Sequence, residues 1–159
     1  MASSASRAAS VEELKARGNE RFAKGDLCGA AKLYKHALQQ GGAVHLLQSN
    51  LSAVYLQGCM LAAALEAADA AIAAEPSWPK AHFRRGSVLA ALELWREAAL
   101  SYQRALAYEP QNATLHKAHA HNAIDRLLSA LKAPLRYDGG EPLTREERIE
   151  WAIRRAPKT

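Results

Sequence analysis

The chain contains no run of about 18 apolar residues, so no segment reads as a membrane-spanning helix. It is poor in aromatics: they make up 6% of its 159 residues against 49% apolar overall, much of it alanine and leucine. That balance favours tightly packed helices over strands. There are two cysteines, Cys28 and Cys59, without metal-ligand spacing and too few for a disulfide framework. Both are expected to be reduced packing or turn residues of a cytoplasmic or nuclear protein. No Ser-His-Asp or Cys-His arrangement, Gly-rich phosphate loop or paired acidic site is visible, so neither an enzyme nor a cofactor is expected. His116, His119 and His121 do not make a metal site: His121 points away from the other two, and no cysteine or carboxylate completes a set. The net charge of +5 favours an acidic partner but is too modest to argue for nucleic acid. Residues 1–10 lack the apolar stretch of a secretory signal, and a disordered leader is expected over 1–9.

What the chain does have is a period. With registers started at Val11, His45 and Pro79, three stretches superimpose at an offset of 34 residues. One small position reads Gly18, Ser52, Gly86; further positions read Ala30, Ala64, Ala98, then Tyr34, Ala68, Tyr102, then Ala37, Ala71, Ala105. The last reads Gly42, Pro76, Pro110. Ala and Gly recur where two helices approach closely, and Pro recurs where one unit stops and the next begins. This pattern is the signature of tetratricopeptide (TPR) helix-turn-helix repeats, and three units suffice to bury a continuous core. The predicted fold is all-α, a three-repeat solenoid over 11–44, 45–78 and 79–112.

The spacing predicts helices near Val11–Lys24, Leu27–Gln40, Val44–Gln57, Leu61–Ala74, Pro79–Ala91 and Trp95–Tyr108. Ser10 and Glu13 form a capping box at the first of them. Trp78 and Trp95 are expected to pack between helices. A capping helix follows over 113–131, with His116, His119, Asn122 and Arg126 on its polar face, which completes a domain over 10–131. A linker over 132–143 and a short amphipathic helix within 144–159 are expected next. Thr144 and Glu147 open that last helix, and Ile149 and Ile153 share a face of it. It reads as a docked appendage or as the start of a further domain.

In such a stack the first helix of each unit lines the concave surface. Lys15 and Asn19 of unit one, Asn50 of unit two, and Lys80 and Arg84 of unit three therefore converge on one trough. The steps from Lys15 to Asn19 and from Lys80 to Arg84 are both four, which keeps each pair on one helix face. Three cations and two amides, with no acid among them, call for an anion. Amide N–H groups donate to carboxylate oxygens, Lys supplies a mobile point charge and Arg a planar fork. A C-terminal aspartate, with two carboxylates a few ångströms apart, is the natural complement.

The strings Lys15-Ala16-Arg17-Gly18-Asn19, Ser49-Asn50-Leu51-Ser52-Ala53 and Lys80-Ala81-His82-Phe83-Arg84-Arg85 resemble the carboxylate-clamp TPR domains of co-chaperones. Members of that group include the Hsp-organising protein, TPR immunophilins, the TPR phosphatase and the TPR ubiquitin ligase. The resemblance covers about residues 10 to 131. It implies binding of the acidic Glu-Glu-Val-Asp tail of the seventy- and ninety-kilodalton heat-shock chaperones. It also implies that Lys15, Asn19 and Asn50 hold the terminal carboxylate, Lys80 the aspartate side chain and Arg84 a group just upstream. Ala53 and Leu56 would border a pocket for the preceding apolar side chain. Gln57 departs from the pattern, standing where many such domains carry a Lys. The expectation is an adaptor acting as a monomer, with no nucleic acid and no membrane as partner. The alternative is a TPR scaffold for some other peptide or assembly, within a larger multidomain protein.

Overall fold

The computed structural model describes residues 9–132, with backbone only over 127–132. Seven helices and no strand occupy the described residues: α1 (Val11–Ala23), α2 (Leu27–Gln39), α3 (Val44–Gln57), α4 (Leu61–Ala74), α5 (Pro79–Ala91), α6 (Trp95–Tyr108) and α7 (Ala113–Lys132). Every boundary lies within one residue of the sequence expectation. The expected leader over 1–8, and the linker and last helix from 133 onward, lie outside the described residues. Among those described, no helix is long and apolar enough to cross a membrane.

Each start and stop has a local cause. At α1, Ser10 Oγ accepts from the Glu13 N–H while Glu13 reaches back to the Ser10 N–H. At α2, Asp26 accepts from the Gly29 N–H, and Pro79 opens α5 with a ring already set to helical φ. Asn112 caps α7 through the Thr114 and Leu115 N–H groups. The turn inside each unit closes in the same way three times: Asp26, Met60 and Leu94 donate their N–H to the carbonyls of Arg21, Tyr55 and Leu89. This six-to-one bond requires a left-handed residue just before the donor.

That left-handed residue is Gly25 in unit one, at φ 80°, but Cys59 at φ 57° in unit two and Glu93 at φ 59° in unit three. A side chain there costs about 1–2 kcal/mol, and glycine's larger freedom in the unfolded chain offsets about 0.5–1 of it. Cys59→Gly is therefore expected to stabilise the fold by about 0.5–1 kcal/mol. A urea-denaturation midpoint that falls instead would contradict this account of the turn.

The alanine ladders form the seam. Ala30, Ala64 and Ala98, and likewise Ala37, Ala71 and Ala105, are fully buried. One core cluster gathers Leu14, Tyr34, Leu47, Leu51 and Val54 in units one and two. A second gathers Ala64, Val88, Leu89 and Tyr102 in units two and three. Successive helices pack pairwise, and α3 also meets α5, while α5 meets α7. The first helices therefore form one inner layer, which is the layer that carries the expected site residues.

In one respect α7 departs from expectation. Asn122 is not on a solvated polar face: it is 3% exposed and donates its Nδ2–H to the Trp95 carbonyl at 2.9 Å. Its register explains this, because Val54, Val88 and Asn122 stand 34 residues apart and all three are buried. His82 and His116, also 34 apart, both bond through Nε2 to the carbonyls of Pro76 and Pro110, at 2.7 Å each. In geometry α7 is the first helix of a fourth unit. Trp78 and Trp95 are half-buried, Trp78 edge-on to His45.

Candidate functional site

The expected residues are linked in part by hydrogen bonds and in part by charge. Asn19 on α1 and Asn50 on α3 meet directly, with Asn50 Nδ2 donating to Asn19 Oδ1 at 3.4 Å. That oxygen also accepts from the Tyr34 hydroxyl of α2 at 2.7 Å. Tyr34 in turn lies in the field of Arg84 on α5: burial pushes its phenol up, and the guanidinium charge opposes that. Arg84 and Lys80, one turn apart on α5, also feel each other. Burial, and then the charge of Arg84, hold the Lys80 ammonium below the usual lysine range. Four of the five expected residues thus belong to one electrostatic cluster. Lys15 sits one turn before Asn19 on the same face of α1.

Two adjacent arginines on α5 have different fates. Arg85 is neutralised: its Nε donates to Asp69 Oδ1 at 2.7 Å and its Nη1 to Ser101 Oγ at 2.9 Å, which ties α5 to α4 and α6. Arg84 is half-buried, and its Nε is buried without an acceptor. Burial lowers its pKa, with Tyr34 as the opposing influence. Its guanidinium lies over the Phe83 ring at 5.9 Å, and the Lys80 ammonium lies over Trp78 at the same separation. Among the described residues no carboxylate pairs with either cation.

One acid stands beside the five expected residues. Lys15 Nζ is paired with Glu12 Oε2 at 2.5 Å, within the first turn of α1. The Glu12 side chain is 76% exposed, so this contact contributes about 0–1 kcal/mol and is readily exchanged. Removing the competing carboxylate should release Lys15 for a ligand. Glu12→Gln is expected to tighten binding of an anionic peptide about two- to threefold, as calorimetric titration would read. Weaker binding would mean that Glu12 itself supports the ligand.

Ala53 follows Asn50 by one turn and is buried, and Leu56 is half-buried against the second core cluster. Gln57 is exposed. Among the described residues no group of three or more His, Cys, Asp or Glu could hold a metal ion; His116 bonds a carbonyl and His121 faces Asp125 at 3.4 Å. Both cysteines are free and exposed. Spacing did not point to the Tyr34 hydroxyl as a member of the cluster. The signal available was its register against Gly18 and Asn19, and that register specifies ring packing only.

Comparisons with known proteins agree with this fold. The tetratricopeptide-repeat family model matches residues 79–112, the third unit in full. The Hsp70-Hsp90 organising protein of Plasmodium falciparum is 31% identical over 108 residues, covering 68% of this chain and 43% of that protein. The chain therefore spans less than half the length of this curated relative. Among solved structures, the first TPR domain of Spaghetti (RPAP3) bound to the HSP90 peptide SRMEEVD has a TM-score of 0.69 and 27% identity, covering 72% of this chain and 94% of that one. The second TPR domain of human RPAP3 in complex with the HSP70 peptide SGPTIEEVD has a TM-score of 0.64 and 28% identity, covering 69% and 92%. By period, fold and likeness, this chain is a tetratricopeptide-repeat domain that resembles those of the Hsp70-Hsp90 organising proteins and RPAP3.

Proposed function

We propose that this chain is a cytoplasmic interaction module, a co-chaperone adaptor rather than an enzyme. Its groove of α1, α3 and α5 takes the acidic C-terminal tail of the seventy- and ninety-kilodalton heat-shock chaperones. In this reading Lys15, Asn19 and Asn50 hold the terminal carboxylate and Lys80 the aspartate side chain. Arg84 holds a group just upstream, and Ala53 and Leu56 border the preceding apolar side chain. The observation that carries the reading is Arg84, whose buried Nε meets no acceptor while Lys80 and the Asn19–Asn50 pair stand beside it. Buried donors without acceptors are rare. An incoming carboxylate supplies an acceptor to the guanidinium, whose Nε must turn toward the groove to reach it. The peptides in the two RPAP3 structures end in EEVD, which supports the same choice of ligand.

Each charge-assisted hydrogen bond contributes about 1.5–3 kcal/mol. Reduced by the cost of ordering a flexible tail, their sum corresponds to an affinity near 1 μM, about −8 kcal/mol. Titration with a peptide ending in Glu-Glu-Val-Asp is expected to give that affinity at low salt and markedly weaker binding at about 0.5 M, where screening acts within a few ångströms. A wild-type protein that takes up no such peptide would remove the reading.

A further inference from the structure

Resting on the clamp reading, we propose that Tyr34 is a positioning residue for it: its hydroxyl fixes the Asn19 carboxamide so that nitrogen, not oxygen, faces an incoming carboxylate. Tyr34 belongs to α2, in the outer layer, and is 1% exposed, so it cannot touch a peptide in the groove. Its hydroxyl nevertheless reaches the inner helix α1 and donates to Asn19 Oδ1 at 2.7 Å. The same oxygen accepts from Asn50 Nδ2 at 3.4 Å. A carbonyl oxygen has two lone pairs, and both are thereby engaged. What Asn19 still offers is its two N–H donors.

An ionised carboxylate only accepts hydrogen bonds. If the Asn19 amide were reversed, its oxygen would meet that carboxylate lone pair to lone pair, its NH2 would meet the Asn50 donor, and the buried Tyr34 hydroxyl, then only accepting, would leave its own hydrogen without an acceptor. The hydroxyl thus selects the orientation that binds. Ring packing does not require it, since the part of Tyr34 that fills the space beside Gly18 is the ring edge. In unit two the equivalent pair is Ala53 and Ala68, with no such bond. Unit three repeats the arrangement without the function: Tyr102 donates to Ser87 Oγ at 3.5 Å, and Ser87 is not a clamp residue.

If loss of the hydroxyl leaves about a fifth of molecules with Asn19 correctly turned, affinity falls about fivefold, because apparent affinity scales with the competent fraction. The test titrates a free-acid Glu-Glu-Val-Asp peptide into wild type, Tyr34→Phe, Asn19→Ala, the double variant and Tyr102→Phe, recording unfolding midpoints alongside. The Asn19 side-chain amide signals are followed by nitrogen-15 NMR in the unliganded proteins. The expected result is a loss of about fivefold for Tyr34→Phe and none for Tyr102→Phe. The double variant is expected to match Asn19→Ala, and the Asn19 amide signals to shift in Tyr34→Phe before any peptide is added. Unchanged affinity in Tyr34→Phe, additive losses in the double variant, or an equal loss in Tyr102→Phe would overturn the proposal. Failure of the wild type to bind would overturn the clamp reading and the named ligand with it. The amide signals separate that result from failure of the hydroxyl contact itself, which unmoved signals would show.

Discussion

Arg84→Met is expected to lower affinity for a free-acid chaperone-tail peptide at least tenfold and to raise the unfolding midpoint of the unliganded protein. Both effects have one cause. The guanidinium is half-buried with an unsatisfied Nε, and burial already disfavours its charged form. An unpaired buried cation is destabilising until an anion arrives. Methionine retains contact with the Phe83 ring and the apolar stem volume while removing the charge. Against ligand, the loss of a charge-assisted bond of about 1.5–3 kcal/mol corresponds to roughly ten- to a hundredfold. Lys80→Ala should show the affinity loss with little gain in stability, because Lys80, though partly desolvated at its ammonium, is exposed as a residue and has no buried donor left without an acceptor. Arg85→Met is the contrast: it breaks the ties to Asp69 and Ser101 and should lower the midpoint. Calorimetry and thermal unfolding on the three variants check all of this. An Arg84 variant that is both less stable and unaltered in affinity would place that residue outside the site.

Gly18→Ala carries the second large effect, and here packing dominates. A Cβ at Gly18 would lie 2.5 Å from Tyr34 Cε1 and 2.9 Å from Cδ1, and the ring is 1% exposed in the first core cluster. Overpacking of this kind costs about 1–3 kcal/mol, offset by about 1 kcal/mol of gained helix propensity. A net loss of up to about 2 kcal/mol, or several degrees in midpoint, is expected. The displaced ring also carries the hydroxyl that holds Asn19, so peptide affinity should fall as well. Gly86→Ala meets Tyr102 at 2.6 Å and should show a similar loss of stability. If Gly18→Ala were as stable as wild type, the close approach of α1 to Tyr34 would not be what fixes this seam.

The sequence read well wherever its 34-residue step coincided with a packing constraint. Ala30, Ala64 and Ala98 could be named as seam residues because nothing larger fits between paired helices, and all three are fully buried. Helix ends could be read because Ser10, Pro79 and Gly25 each satisfy a backbone requirement by residue type. Four of the expected site residues could be grouped because helix steps of four and repeat steps of 34 decide which face a side chain occupies.

What stayed hidden depended on where polar tips go once the helices pack. Glu12 and Lys15 are three apart on α1, and spacing alone leaves open whether Lys15 looks to its own helix or across the trough. Asn122 looked solvated because its chemistry is polar, although the step from Val54 through Val88 marked its register as buried. Cys59 and Glu93 gave no sign of a left-handed backbone, since side-chain type commonly signals that conformation only when it is Gly or Asn. The destination of the Tyr34 hydroxyl lies on another helix, fifteen residues away.

The central claim is that side chains from three successive hairpins hold an acid at a chain end, and one comparison addresses it most directly. Calorimetric titration of the same Glu-Glu-Val-Asp peptide, once with its free C-terminal carboxylate and once amidated, changes only the group that Lys15, Asn19 and Asn50 are proposed to hold. The account predicts near-micromolar binding of the free acid and loss of most of that affinity on amidation. Equal affinity for the two forms would contradict it and favour a scaffold that recognises an internal segment.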